Sequence, residues 1–237
     1  MNPSRRVAWA EVPELLRAEP AVLGRWLERG PSRLGLCLGA IVLGAGAYGA
    51  VLGGWRGPGQ AVFTAIKLPL LFLLTTLGNA LLNAMLAPLL GLNLGWRQCV
   101  MVILMTFAIA GTVLGGLTPV AAFVVWNVPP LTAATTLASP EYGLLQLTLF
   151  GGIAGAGVAG NVALAPLLRA WSGRRGVARR VLAAWLGGNL LLGSQVCWIL
   201  RPFLWDPARP VEWLGPEFLR GSFYETLFEA ARRLVLG

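Results

Sequence analysis

The sequence has no histidine, a single lysine, three cysteines and only 12% charged residues. Each shortage excludes something. Without histidine no imidazole is available to ligate a metal or to move a proton near neutral pH. Cys37, Cys99 and Cys197 stand far apart, without C-x-x-C spacing, each in or at the rim of an apolar run. They supply neither a disulfide framework nor a metal site and read as small apolar packing residues. No metal and no cofactor is expected. The charged fraction is about half that of an ordinary soluble domain, too little to clothe a globule in polar side chains. With 56% hydrophobic residues, the medium around most of the 237-residue chain is expected to be lipid.

Acidic residues are missing from every long apolar run, with Glu141 and Asp206 only at the rims. The membrane interior therefore holds no conventional relay for proton-coupled transport, no nucleophile paired with a base and no carboxylate metal site. The chain is expected to be non-enzymatic. Its GAG and GAGVAG stretches are not dinucleotide loops, because no strand precedes them and no acidic residue follows at the required distance. The net charge of +9 rests on nineteen basic residues, all Arg but Lys67. These flank apolar runs and no aromatic–basic face is interleaved for stacking bases, so nucleic acid is not an expected partner. The expected partners are the lipid bilayer and other membrane subunits or a second copy of the chain.

What is present is five apolar segments, roughly 34–54, 62–90, 98–126, 143–168 and 180–200. Each reaches the ~20 residues that cross ~30 Å of hydrocarbon as a helix. The predicted fold is all-α: an integral membrane bundle of about five transmembrane helices over 34–200, with amphipathic segments at both ends. The second to fourth segments exceed one crossing and must tilt, bend or project; Pro119 is the expected kink in the third. In residues 1–33, Val12, Leu15, Leu16, Val22, Leu23, Trp26 and Leu27 recur at helical spacing, interrupted by Pro20, which predicts short amphipathic helices on the inner surface. No cleavable leader is expected, since Arg5 and Arg6 are followed by Glu11, Glu14 and Glu19 rather than an apolar core. In the tail, 201–237, Pro202 stops the fifth helix. Ser222 and Glu225 then form a capping box ahead of an apolar face of Phe223, Leu227, Phe228, Ala231, Leu234 and Val235. An amphipathic helix on the outer surface is predicted, with Trp198, Trp205 and Trp213 in the interfacial belt.

Orientation follows from the basic residues: twelve fall on the side of the N-terminus and seven on the other, five of those in a tail with five acidic residues. This predicts an N-terminus inside and a C-terminus outside. The preference for Arg over Lys, with abundant Gly and Ala, suggests a GC-rich genome and a bacterial inner membrane.

Three groups of residues are candidate sites. Thr75, Asn79 and Asn83 recur every fourth residue and share one face of the second span, where Asn161 in the fourth and Asn189 and Gln195 in the fifth are placed to meet them. Buried amides must bond one another, backbone or water, so the cluster is either a polar path or interhelical fastening. The basic run Arg169, Arg174, Arg175, Arg179 and Arg180 is a topology determinant, a contact for anionic headgroups or an acidic partner, or both. Arg201 beside the fifth span is expected to pair with Asp206 or Glu141 and pin the tail, and Lys67 is read as a rim residue snorkelling outward. Small residues every fourth position, as in Gly35/Gly39, Ala45/Gly49/Gly53, Gly111/Gly115, Gly151/Gly155/Ala159 and Gly152/Ala156/Gly160, predict close helix packing. Span four is small on two faces, so it is expected at the bundle centre or in an oligomer contact. The segments Asn83-Ala-Met-Leu-Ala-Pro-Leu-Leu90 and Asn161-Val-Ala-Leu-Ala-Pro-Leu-Leu168 agree at six of eight positions, either by chance or as halves of a parallel repeat.

Ile66-Lys67-Leu68-Pro69-Leu70, opening the second of five spans behind an inside N-terminus, resembles Yip1-type membrane proteins. Gln195-Val-Cys-Trp-Ile-Leu-Arg-Pro-Phe203 with Gly221-Ser-Phe-Tyr-Glu225 is similar to a tail of uncharacterised bacterial multi-pass proteins. The long outer tail departs from the Yip1 pattern. The resemblance implies a non-enzymatic scaffold or partner and transfers no site residue. The functional expectation is a membrane scaffold or accessory subunit; the alternative is a small transporter or channel subunit with an Asn-lined path.

Overall fold

The computed structural model describes residues 31–92, 95–132, 140–201 and 210–214, with positions 13, 16, 24 and 25. Five long helices account for nearly all of it: α1 Pro31–Gly54, α2 Pro58–Leu89, α3 Trp96–Asn127, α4 Pro140–Ser172 and α5 Arg175–Leu200, with no strand among the described residues. Each is long and apolar enough to cross a membrane, and the chain is a multi-pass membrane protein. The two amphipathic segments predicted at the termini lie outside the described residues, save positions 13, 16, 24, 25 and 31–33 and the short stretch 210–214.

The helices run further than the apolar runs that announce them, because their ends obey backbone rules rather than hydropathy. Pro58 opens α2 four residues before the apolar run, in the first turn where its missing N–H is not needed, and Gly57 at φ 131° supplies the reversal that precedes it. The Gln98 side chain accepts a 3.0 Å bond from the Gly95 N–H and holds the start of α3. Pro69, Pro88, Pro119 and Pro166 all sit inside helices that continue past them, and the third helix runs beyond Pro119 to Asn127. α4 and α5 join through a turn at Gly173, whose φ of 60° favours glycine.

α3 is the most buried helix and packs mainly on α1, α2 and α4, while α2 also meets α1 and α5, and α5 touches α2 and α4. The sequence's small-residue ridges explain this order. A Cβ on Gly111 would lie 2.8 Å from both the Ala40 carbonyl oxygen and the Ile41 Cα, so α3 and α1 approach as closely as backbones allow. Gly49 and Gly53 do the same between α1 and α2, each leaving 2.6 Å to a carbonyl of Thr64 or Gln60. Gly152 faces the Tyr48 hydroxyl and Gly160 the Thr106 carbonyl, seating α4 against α1 and α3. Tyr48 completes the α1–α4 contact by donating 2.6 Å to the Thr148 carbonyl.

Candidate functional site

Among the sequence's candidates, the amides form a connected structure. α2 carries Thr75, Asn79 and Asn83 on its buried face, each 1% exposed or less. From Asn83 a chain of bonds runs in one direction. Asn83 Nδ2 donates to Asn79 Oδ1 at 2.6 Å and to the Asn79 carbonyl at 2.8 Å. Asn79 Nδ2 donates to Asn189 Oδ1 on α5 and to the Trp185 carbonyl at 3.4 Å. Asn189 Nδ2 reaches Asn161 Oδ1 on α4 at 3.3 Å, and Asn161 Nδ2 ends the chain on the Gly157 carbonyl at 2.8 Å. Every amide donates to the next, an arrangement that lets successive bonds polarise one another. Three helices are joined by it, with Asn79 at the junction.

Asn79 can stand there only because Gly188 faces it. A Cβ on Gly188 would fall on the Asn79 side-chain oxygen, so α5 must bring bare backbone to this level. The register follows: Thr75 lies opposite Gly193, and Asn79 opposite Gly188 and Asn189. Continuing that antiparallel spacing by one turn places Asn83 at the level of Trp185. Three buried polar atoms on these two helices have no hydrogen-bond partner among the described residues: Thr75 Oγ1, Asn83 Oδ1 and Trp185 Nε1. Gln195, the sixth predicted member, is half-buried and makes no bond to the chain of amides among the described residues. It lies six positions beyond Asn189, on another side of α5.

The echo between spans two and four is partly structural. Both Asn83 and Asn161 donate to the carbonyl four residues back at 2.8 Å, and both are followed five residues later by an internal proline. Yet Asn189 bridges Asn161 to Asn79, not to Asn83. The two segments therefore sit one turn out of register, and beyond the asparagine their buried positions differ.

The basic run gathers on the α4–α5 turn, where Arg169, Arg174, Arg175, Arg179 and Arg180 are all exposed. Four of the five occupy the N-terminal end of α5, where no acidic residue offsets the helix dipole. At the opposite end of α5, Arg201 caps the helix in the left-handed region (φ 41°), places its guanidinium 4.8 Å from the centre of the Trp198 ring and donates from Nε to the Trp198 carbonyl at 3.2 Å. Its expected partner Asp206 lies outside the described residues. Glu141, the other expected partner, is in the first turn of α4, where a carboxylate complements the dipole.

Lys67 departs most from its sequence reading. Because α2 begins at Pro58, the lysine lies ten positions into a helix, not at its rim, and is 3% exposed. Its Nζ sits 5.9 Å from the Phe63 ring centre and 5.2 Å from that of Trp213, and the two rings meet edge to face at 5.4 Å. Gln60 and Thr64, also buried on this side, bond each other at 3.0 Å one and two turns nearer the helix start. The polar row of α2 thus extends from Gln60 to Asn83, well beyond the stretch assigned from the sequence. Lys67 falls two four-residue steps back from Thr75, and Thr64 and Gln60 continue at steps of three and four; Trp185 and Gly188 carry no comparable signal.

Among the described residues no three His, Cys, Asp or Glu side chains come together to hold a metal. The chain matches no protein-family model, no curated protein and no solved structure, so its function has to be argued from its own geometry.

Proposed function

We propose that the chain is a non-catalytic scaffold or accessory subunit of a membrane complex, which holds a partner helix or a second copy of itself on the outward face of α4. The observation that carries this reading is the division of α4's two small ridges. Gly152, Ala156 and Gly160 are used within the bundle. Gly151 and Gly155 face outward with nothing within 4 Å of an added Cβ, in a stripe with Leu147, Val158 and Val162 that are 72%, 55% and 61% exposed. In lipid, apolar exposure alone does not drive association; close backbone approach across small residues does. The amides are occupied with one another, as fastening rather than transport requires. The likeness to Yip1-type proteins points the same way.

Replacing both outward glycines, as in G151L/G155L, is expected to lower association in nanodiscs at least tenfold, about 1.4 kcal/mol, without moving the unfolding midpoint of the subunit. Cross-linking yield against lipid dilution measures the first and thermal unfolding in detergent the second. Unchanged association would sink the reading.

A second reading, a small transporter or channel subunit, draws on the unpartnered atoms of Thr75, Asn83 and Trp185 beside the chain of amides. Sidedness and this alternative are tested together. We assign the N-terminus to the inside and the C-terminus to the outside of a bacterial inner membrane. The basic α4–α5 turn supports this, against Arg56 alone in the α1–α2 turn. In a background with the native cysteines replaced by alanine, R56C is expected to react with an impermeant maleimide from outside and R174C only after permeabilisation. N83C is expected to stay unlabelled in both. Rapid labelling of N83C would favour the transport path instead.

A further inference from the structure

The lysine enclosed by α2 and the 210–214 segment is a charged group inside the bundle whose presence the fastening role does not explain. Lys67 is the chain's single lysine, against eighteen arginines. It is 3% exposed and forms no ion pair among the described residues. Glu141 belongs to α4, and Glu212, next to Trp213, is exposed. A buried ammonium without a counter-charge is costly in hydrocarbon, and two aromatic faces offset only part of that cost. The described residues around it supply no complementary charge, and an anionic ligand would.

Its depth says from where. α2 has 32 residues, about 48 Å of helix against about 30 Å of hydrocarbon, so a centred helix projects about 9 Å at each end. Lys67, nine residues after Pro58, is then about 13–14 Å from the start, a few ångströms below the hydrocarbon edge. A phosphate there is within reach of a lysine reaching up. The covering element is slight. Trp213 is itself 37% exposed, and Val211 lies 3.7 Å from where a Cβ on Gly59 would be. A tryptophan ring over a lysine, with Gln60 and Thr64 alongside, is a group of donors beneath a displaceable lid.

We infer that Lys67, with Gln60 and Thr64 beside it and Trp213 as its cover, binds the phosphate of an anionic lipid headgroup in the leaflet nearest the α1–α2 turn. Trp213 gives way as the headgroup enters, and the ammonium exchanges its ring contacts for a charge-assisted bond. This site is independent of the outward face of α4 and of the arginines, which lie at the opposite end of α2's partner α5.

The single lysine makes the test direct, because the only other amine in the sequence is that of the N-terminus. The intact protein in detergent is treated with a small amine-acetylating reagent, with phosphatidylglycerol, phosphatidylcholine or inorganic phosphate added, and modification of the Lys67 peptide is followed by mass spectrometry. Phosphatidylglycerol is expected to slow acetylation at least tenfold relative to phosphatidylcholine at equal mole fraction. W213A is expected to raise the lipid-free rate at least fivefold and keep the protection. If the wild-type amine is too slow to follow, the ratio is read in W213A. K67M is expected to lose the rise in unfolding midpoint that phosphatidylglycerol gives the wild type. Equal protection by both lipids overturns the proposal. So does inorganic phosphate protecting as well as the lipid, which would make the ligand a free anion. An amine inert in both proteins also overturns it, since a headgroup needs the same opening.

Discussion

Replacing Asn79 by leucine is expected to reduce the unfolding free energy of the bundle by about 2–3 kcal/mol, several times the effect of N161L. The two side chains have similar shape, so packing against Gly188 is largely kept and the change isolates hydrogen bonding. Asn79 accepts from Asn83 and donates to Asn189 and to the Trp185 carbonyl. A single interhelical bond in a membrane contributes about 0.6 kcal/mol on average. Losing several at a junction, and leaving the half-buried Asn189 Oδ1 without its donor, adds part of the desolvation of an orphaned group, about 1–3 kcal/mol when fully buried. Asn161 ends the chain, contributes one longer bridging bond and is nearer the surface, 7% exposed; N161L is expected to cost less than about 1 kcal/mol. The pair N79L/N189L should cost less than the two single changes added, because neither change then leaves the other's amide without its partner. Reversible unfolding in bicelles across this set checks the ranking. If N79L and N161L cost the same, the amides do not act as a connected chain.

The larger loss is expected from Gly111. In G111L the new Cβ meets main-chain atoms of Ala40 and Ile41 at 2.8 Å, and the rest of the side chain has nowhere to go but between α1 and α3. Backbone cannot rotate aside as a side chain does, so the helices must separate along the most buried interface of the bundle. Overpacking of this kind costs typically about 1–3 kcal/mol and occasionally more. With α3 central to three contacts, we expect at least about 3 kcal/mol and a sharp fall in folded yield. Gly116, five residues on along the same helix, has nothing within 4 Å of an added Cβ. G116A is expected to be neutral or to stabilise by up to about 1 kcal/mol through helix propensity alone. Unfolding midpoints and monodisperse yield for the two variants decide whether approach, rather than glycine content, holds α1 to α3.

Much of the amide site is legible in the order of residues alone. Thr75, Asn79 and Asn83 fall on one face because a helix repeats every 3.6 residues, and in hydrocarbon such amides have few partners but one another. The ridges of α1, α3 and α4 are legible for the same reason. Which of two faces is used is not. Gly151 and Gly152 are neighbours of the same type, yet Gly152 meets Tyr48 and Gly151 meets nothing. The junction role of Asn79 is equally hidden, since it depends on Gly188 arriving at the same level on an antiparallel helix 109 residues away. Gln195 is equivalent to Asn189 by chemical type and differs in the direction it leaves α5. Hydropathy puts Lys67 nearer the start of its helix than it is, because the apolar run begins at 62 whereas the helix starts where a proline can sit in its first turn, at Pro58.

The sequence by itself determined the solvent and the class of fold: a chain with so little charge and five apolar runs of spanning length can satisfy its backbone in lipid only as helices packed on one another. It also determined which residues were available to fasten them. Only the tertiary structure decided the order of the helices, the partner of each amide, the outward turn of one α4 ridge and the enclosure of Lys67. Those depend on how far two backbones can approach at a given level, a property of pairs of helices that no single stretch of sequence contains.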